Sequence, residues 1–314
     1  MIKLKKPKFW DYKSPNLISY LLLPLTFPII INNLFLNFKK DKKIEQRTKK
    51  ICIGNIYVGG TAKTPLTIKI YQILNTLGFK TAVIKKFYKN HYDEQKILSK
   101  NTKFYCEKNR LDALNKSVKD GMDIVLFDDG LQDKSISYDI RIVCFNNTKW
   151  IGNGFLIPAG PLREKINSIS KYDVVFLNGH ENNNDPLKLL IKKYNSNIKI
   201  FESNYKAMNI NEFDLREKYL IFSGIGNSDG FKEILLNNNF NIIKEINFPD
   251  HHKYTQKDID YIKLQATQLK LKILTTEKDF VKIESRKNID IKFLKIEIDI
   301  KNENELINYL KLNT

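Results

Sequence analysis

A short apolar run, Lys50-Ile51-Cys52-Ile53-Gly54, is followed within a few residues by Gly59-Gly60-Thr61-Ala62-Lys63-Thr64-Pro65. A helical pattern then begins, Leu66-Thr67-Ile68-Lys69-Ile70-Tyr71-Gln72-Ile73-Leu74. Strand, glycine-rich turn, Lys-Thr and helix in that order is the layout of a cradle for nucleotide phosphates. The N–H groups of such a turn and the positive end of the helix dipole hold the phosphates. Lys63 would reach the terminal phosphates, and the Thr64 hydroxyl would ligate Mg2+. The common pattern has Gly where Ala62 stands, and its upstream Gly falls on Tyr57. A tight Gly-Gly turn that merely carries Lys-Thr is therefore an open alternative.

A second run bears on that choice. Asp123-Ile124-Val125-Leu126-Phe127-Asp128-Asp129-Gly130 is continuously apolar and ends in two carboxylates. Continuous apolar runs suit strands buried on both faces of a parallel sheet, and open α/β sheets bind ligands at the carboxyl ends of their strands. Asp128 and Asp129 thus fall where a phosphate-loop enzyme keeps its metal-binding acid. The bland alternative is a solvated Asp-Asp-Gly turn.

Charge is unevenly spread. The chain has 314 residues and a formal charge of +18. Residues 1–50 hold twelve Lys/Arg against three acids, half of the whole excess. Between the basic clusters lies an uncharged segment, Ser14 to Phe38, with an apolar centre at 21–31. It lacks the small-residue cleavage site of a signal peptide. Pro24, Pro28, Asn32 and Asn33 interrupt it, and both flanks are basic, which fits a spanning helix poorly. A segment lying in a membrane interface, with apolar groups in lipid and lysines on anionic headgroups, fits better. A single span and a buried core helix are the alternatives. Cys52, Cys106 and Cys144 have neither disulfide nor metal spacing, which suits a reducing compartment.

Strand and helix patterns alternate beyond the basic linker. Strands are expected at 81–84, 103–106, 123–128, 139–144 and 173–177, with helices near 64–77, 109–119 and 186–194. Such alternation argues an α/β fold with a parallel sheet wrapped by helices. The pattern resets near 205–216 and then runs strand 219–222, helix 229–238, strand 240–247, helix 256–269, strand 272–275, strand 291–298 and helix 302–312. The expected organisation is a membrane-associated N-terminal segment (1–40), a phosphate-loop kinase domain (41–215) and a smaller C-terminal α/β domain (216–314).

Several motifs, in one order, carry a family resemblance. They are Phe9-Trp10; the stretch 54–65 around the glycine-rich turn; Asp128-Asp129-Gly130-Leu131-Gln132; Gly152-Asn153-Gly154-Phe155-Leu156-Ile157-Pro158-Ala159-Gly160-Pro161-Leu162-Arg163-Glu164; Ser223-Gly224-Ile225-Gly226-Asn227; Phe248-Pro249-Asp250-His251-His252; and Thr276-Glu277-Lys278-Asp279. Over nearly its whole length the chain resembles the tetraacyldisaccharide 4'-kinases of lipid A biosynthesis. The resemblance implies transfer of the ATP γ-phosphate, with Mg2+, to the 4'-hydroxyl of a tetraacylated glucosamine disaccharide 1-phosphate at the cytoplasmic face of the bacterial inner membrane.

The resemblance also implies roles. Asn55, Gly59, Gly60, Thr61, Ala62, Lys63 and Thr64 would bind the nucleotide, and Thr64, Asp128 and Asp129 the metal. Gln132, Asn153 and Arg163 would bind the lipid substrate. Asp93 would be the general base, with His251 orienting it and modulating its pKa; Lys63 completes the catalytic set. Two departures stand out: the family's usual Ser-Arg-Gly-Tyr-Gly reads Lys85-Lys86-Phe87-Tyr88-Lys89 here, and Asp133 follows Gln132 where His is common. A catalytically weakened relative is one alternative. A basic nucleic-acid-associated ATPase is another, although no nucleic-acid-binding module is recognisable and nucleic acid is not an expected partner.

Overall fold

The computed structural model describes residues 6–38, 48–179, 183–283 and 290–314. Of the basic clusters that flank the apolar segment, the parts at 1–5 and 39–47 lie outside the described residues. In chain order the elements are α1 (Leu17–Leu21), α2 (Phe27–Phe38), β1 (Lys49–Gly54), α3 (Lys63–Thr76), β2 (Thr81–Lys86), α4 (Tyr92–Asn101), β3 (Phe104–Glu107), α5 (Arg110–Lys119), β4 (Ile124–Asp128), β5 (Ile140–Asn146), β6 (Val174–Asn178), α6 (Asp185–Tyr194), β7 (Lys199–Ala207), β8 (Lys218–Ser223), α7 (Ser228–Asn237), β9 (Asn241–Asn247), α8 (Gln256–Gln268), β10 (Lys272–Thr276), α9 (Glu277–Ile283), β11 (Ile291–Leu294), β12 (Ile296–Ile300) and α10 (Glu303–Asn313).

They form two compact units. The larger comprises 6–87, 101–204 and 298–314; the smaller contains 88–100 and 205–297. Neither unit is one continuous stretch of chain. Helix α10 belongs to the larger unit, where Glu303 pairs with Lys69 of α3 at 2.7 Å and Tyr309 packs edge-on against Phe201. Segment 88–100 belongs to the smaller unit, for the electrostatic reasons given below.

The larger unit carries an eight-stranded sheet, ordered β12-β7-β6-β5-β1-β4-β2-β3. β1 pairs in parallel with both β4 and β5, so the strand feeding the glycine-rich turn is central. Every residue of β4 is buried, as its continuous apolar run requires. Helix α3 buries Leu66, Thr67, Ile70, Ile73 and Leu74, spaced by three and four residues along one face.

The smaller unit is a four-stranded sheet, β11-β10-β8-β9, with all pairs parallel. Alternate residues of β8 feed two cores. Leu220 and Phe222 join Ile259 and Ile262 of α8, while Tyr219 and Ile221 join Phe231, Ile234 and Leu235 of α7. This is the period-two geometry of a strand with helices on both faces.

The N-terminal segment is broken where its prolines fall. α1 is followed by a 3-10 turn at Leu23–Thr26 containing Pro24, and α2 restarts at Phe27. Among the described residues no helix is long and apolar enough to cross a membrane.

Candidate active site

The glycine-rich turn is assembled at the carboxyl end of β1. Asn55 is fully buried and donates from Nδ2 to the Tyr57 carbonyl (2.5 Å) and to Thr61 Oγ1 (3.0 Å), closing the turn around itself. Ala62 then adopts a left-handed backbone, φ 65° and ψ 18°, immediately before α3 begins at Lys63. This is the conformation glycine supplies freely, and an L-residue pays roughly 1–2 kcal/mol for it. Lys63 and Thr64 occupy the first turn of α3, where unpaired N–H groups and the helix dipole favour an anion.

Opposite them, β4 delivers its two acids to different tasks. Asp128 is fully buried; Oδ2 accepts from Thr64 Oγ1 at 3.2 Å and pairs with Lys85 Nζ at 2.6 Å, while Oδ1 has no hydrogen-bond partner among the described residues. Asp129 is also left-handed (φ 60°) and turns toward other cations, Arg163 Nη1 at 3.2 Å and Lys63 Nζ at 3.8 Å. The donor set fits a Mg2+ ion held chiefly by phosphates: a buried carboxylate oxygen without a partner beside a threonine hydroxyl. Among the described residues no cluster of three or more His, Cys, Asp or Glu could hold a metal alone.

The stretch 152–164 lies along this cradle. Tyr57 bridges to Leu162, Val58 N donates to the Pro161 carbonyl, and Arg163 N donates to the Ile56 carbonyl at 2.7 Å. Gln132 donates to the Asn55 carbonyl at 3.1 Å and to Glu164 at 2.7 Å. Asn153 has a different place from the one its motif suggests. It is buried, and its amide donates to Ser19 Oγ and to the Ala159 carbonyl, both at 2.9 Å. It therefore fastens the N-terminal segment to the loop. Trp10 reinforces the join by donating to the Pro158 carbonyl at 2.9 Å. A Cβ on Gly152 would meet the Trp10 carbonyl oxygen at 2.0 Å, so only glycine permits this approach. Tyr57, Asp11 and Lys6 form a further hydrogen-bonded cluster beside the turn.

The smaller unit brings Asp93 and His251 together. Asp93, in the first turn of α4, is 1% exposed. His251 Nδ1 lies 3.2 Å from both Asp93 oxygens, so the ring nitrogen donates to the carboxylate. His251 itself is left-handed at φ 55°. Two ammonium groups from α9 join the pair: Lys282 Nζ at 3.4 Å and Lys278 Nζ at 3.9 Å from Asp93 Oδ2. Burial alone would raise the Asp93 pKa; the His251 hydrogen bond and the charges of Lys278 and Lys282 outweigh it and hold the carboxyl well below the usual carboxylate range. Burial would likewise lower Lys278, but Glu94 (2.8 Å from its Nζ), Asp250 and Asp93 hold it charged. These attractions bind α4 to the smaller unit.

Several residues of this cluster have no role in the sequence reading. His91 stacks on His251 with ring centroids 4.4 Å apart and planes 4° apart. Lys278 and Lys282 share one face of α9 through their four-residue spacing, a signal legible in sequence. Thr276 and Asp279 hydrogen-bond reciprocally at the start of α9, in the S/T-x-x-D pattern of a capping box. The neighbouring imidazole, His252, serves the other purpose open to loop histidines. It lies 3.1 Å from Asp258, which with Thr255 caps α8. Cys52 and Cys144 are buried, and burial pushes both thiols up, Cys144 to about 12, as inert core residues require.

A parallel sheet whose central strand runs through a glycine-rich turn into a Lys-Thr helix head, beside a buried acid, defines the phosphate-loop α/β class. Comparison with known proteins makes this specific. Residues 19–104 and 93–313 match the family described as tetraacyldisaccharide-1-P 4'-kinase, and the chain belongs to that family. It is 48% identical over 313 residues to the tetraacyldisaccharide 4'-kinase of Pelagibacter ubique, covering 99% of each chain. It is 33% identical to the corresponding protein of Rickettsia bellii, covering 98% of each. The fold matches the crystal structure of Aquifex aeolicus LpxK in complex with ATP, with a TM-score of 0.68 at 19% identity over 95% of this chain and 99% of that one.

Proposed function

We propose that the chain transfers the γ-phosphoryl group of ATP to the 4'-hydroxyl of a tetraacylated glucosamine disaccharide 1-phosphate at the cytoplasmic face of the inner membrane. The observation that carries this reading is the convergence of Lys63 and Thr64, at the head of α3, with Asp128 and its unpartnered oxygen. Phosphoryl transfer depends mainly on positioning and charge neutralisation. The backbone of 59–64 would cradle the phosphates, Lys63 would neutralise charge on the terminal groups, and Thr64 with Asp128 would hold Mg2+. A Mg2+ ion held by these two residues would supply positive charge against the charge that develops on the phosphates. Asp129 would hold Lys63 and Arg163 in place, and Arg163 and Gln132 would present donors to the phosphorylated sugar.

On the acceptor side a sugar hydroxyl needs a group that takes its proton. Asp93 paired with His251 supplies one, with Asp93 as base and His251 orienting it. The low pKa of Asp93 favours a second reading: a carboxylate so stabilised is a weak base, and it would instead orient His251 to take the proton, the division of labour of an Asp–His pair in acyl transfer.

The N-terminal segment supports the membrane part of the reading. Leu17, Leu21 and Phe35 are 75%, 70% and 71% exposed, and Ile18, Tyr20, Leu25 and Phe27 are also exposed, an apolar surface suited to lipid. A nucleic-acid surface would not need it. The test is an assay of purified full-length protein with labelled ATP and lipid A disaccharide 1-phosphate. A product carrying a second phosphate is expected; ATP binding with no transfer to lipid would reduce the chain to a binding relative.

A further inference from the structure

Lys85 occupies an unusual position for a lysine. It is the penultimate residue of β2, and its side chain is 2% exposed. The parallel register sets Ile84 beside Phe127, one residue before Lys85 on β2 and Asp128 on β4, and the Asp128 carboxylate is fully buried. Their 2.6 Å contact is therefore a buried ion pair inside the phosphate cradle. Burying an ammonium and a carboxylate together is often less favourable than a well-packed apolar pair of the same volume, so the fold alone gives little reason to keep it.

Its position within the site supplies a reason. The same Asp128 oxygen that meets Lys85 also accepts from Thr64, while Oδ1 is without a partner. We propose that Lys85 is a built-in counter-charge of the nucleotide site: it fixes Asp128 through one oxygen, leaves the other for a metal ion or its water, and supplies part of the positive charge that Mg2+ otherwise brings to the phosphates. This rests on the nucleotide-site reading above. Lys85 acts through Asp128 and is a positioning residue. Its consequence is a nucleotide affinity that depends less on Mg2+ than it would with a neutral residue there.

The ratio of ATP dissociation constants in EDTA and in excess Mg2+, measured with a fluorescent ATP analogue on the full-length protein, reads this directly. Lys85→Met and Lys85→Gln are expected to raise the ratio by about tenfold or more, the effect of one unit charge close to the phosphates in a poorly screened site. Lys85→Arg keeps the charge and is expected to stay within about twofold of the wild-type ratio. Lys85→Gln still donates to Asp128, so it remains informative where Lys85→Met does not fold. If neither neutral variant folds, the wild type decides, because the proposal requires measurable binding in EDTA and binding only with Mg2+ overturns it. An unchanged ratio in a neutral variant with a cooperative thermal melt overturns it as well and reduces Lys85 to a structural pair. A wild type that binds no nucleotide under either condition sinks the nucleotide-site reading instead.

Discussion

The two carboxylates at the heart of the two units are equally buried and oppositely provided for. Asp128 has one ammonium and one hydroxyl on a single oxygen and, among the described residues, no hydrogen-bond partner on the other. Asp93 has an imidazole on both oxygens and two further ammonium groups within 4 Å of one of them. A buried carboxylate with an open oxygen suits the arrival of another cation. One already surrounded by positive charge does not. The two places share one device. Ala62, Asp129 and His251 all have left-handed backbones, and none is glycine. Strain of this kind gathers where the chain must aim a group.

The sharpest way to break the contrast is at the cradle. Lys63→Ala and Asp128→Asn are each expected to lower turnover by about a hundredfold or more, the scale of removing one electrostatic group from a transition state. Asp128→Asn should also raise the Mg2+ concentration needed for half-maximal rate. Near-normal rates in both would remove the cradle's claim to the nucleotide.

The next effect separates base from orienter. His251→Ala is expected to cost less than Asp93→Asn if Asp93 is the base. The folded pKa of Asp93 lies below its unfolded one, so its charged form stabilises the fold at neutral pH, and that contribution is lost only as pH falls below about 4. With Asp93 as base, kcat should therefore hold as pH falls toward that range. An acid limb near neutrality that vanishes in His251→Ala would assign the base to the imidazole.

A smaller effect belongs to the N-terminal face. Deleting the segment would also remove Trp10 and Ser19 from their buried bonds. Replacing exposed Leu17, Leu21, Phe27 and Phe35 by Ser is the cleaner probe. Binding to anionic vesicles should fall by about tenfold or more, since each side chain carries about 1.5–3 kcal/mol of burial, while ATP affinity stays put. Raised salt should weaken wild-type vesicle binding without abolishing it; complete release by salt would indicate a purely electrostatic tether. The smallest change is expected of Ala62→Gly. It relieves about 1 kcal/mol of left-handed strain, partly offset by glycine's looser unfolded chain, so nucleotide affinity should be equal or up to about fivefold tighter. Weaker binding would show that the methyl group helps hold the turn.

Legibility followed the range of the interactions. The strand–turn–helix unit is readable because its parts are contiguous, and the strong apolar runs of β1, β4 and β6 lie within a residue or two of where the pattern puts them. β7 passed unnoticed because its burial is irregular along the strand and it carries Glu202, Asn204 and Lys206. α4 was missed because mean apolar content along Tyr92–Asn101 is low and its anchorage is ionic, through partners some 160–190 residues away. The same distance hid the placement of 88–100 in the smaller unit. The resemblance pairs Asp93 with His251; the spacing of Lys278 and Lys282 puts them on one helix face but not beside Asp93, and nothing local announces His91. In sequence Lys85 is a departure from a motif; its ion pair with Asp128, across neighbouring strands, is visible only in the fold.

The division of labour between the two units is most directly tested by measuring ATP affinity and lipid phosphorylation on the same preparations of Asp93→Asn and Lys63→Ala. The account predicts that Asp93→Asn loses turnover while binding ATP about as tightly as the wild type, because its effect is confined to the transition state, and that Lys63→Ala loses both. Collapse of ATP binding in Asp93→Asn with turnover intact at saturating nucleotide would contradict it and make Asp93 a nucleotide-site residue.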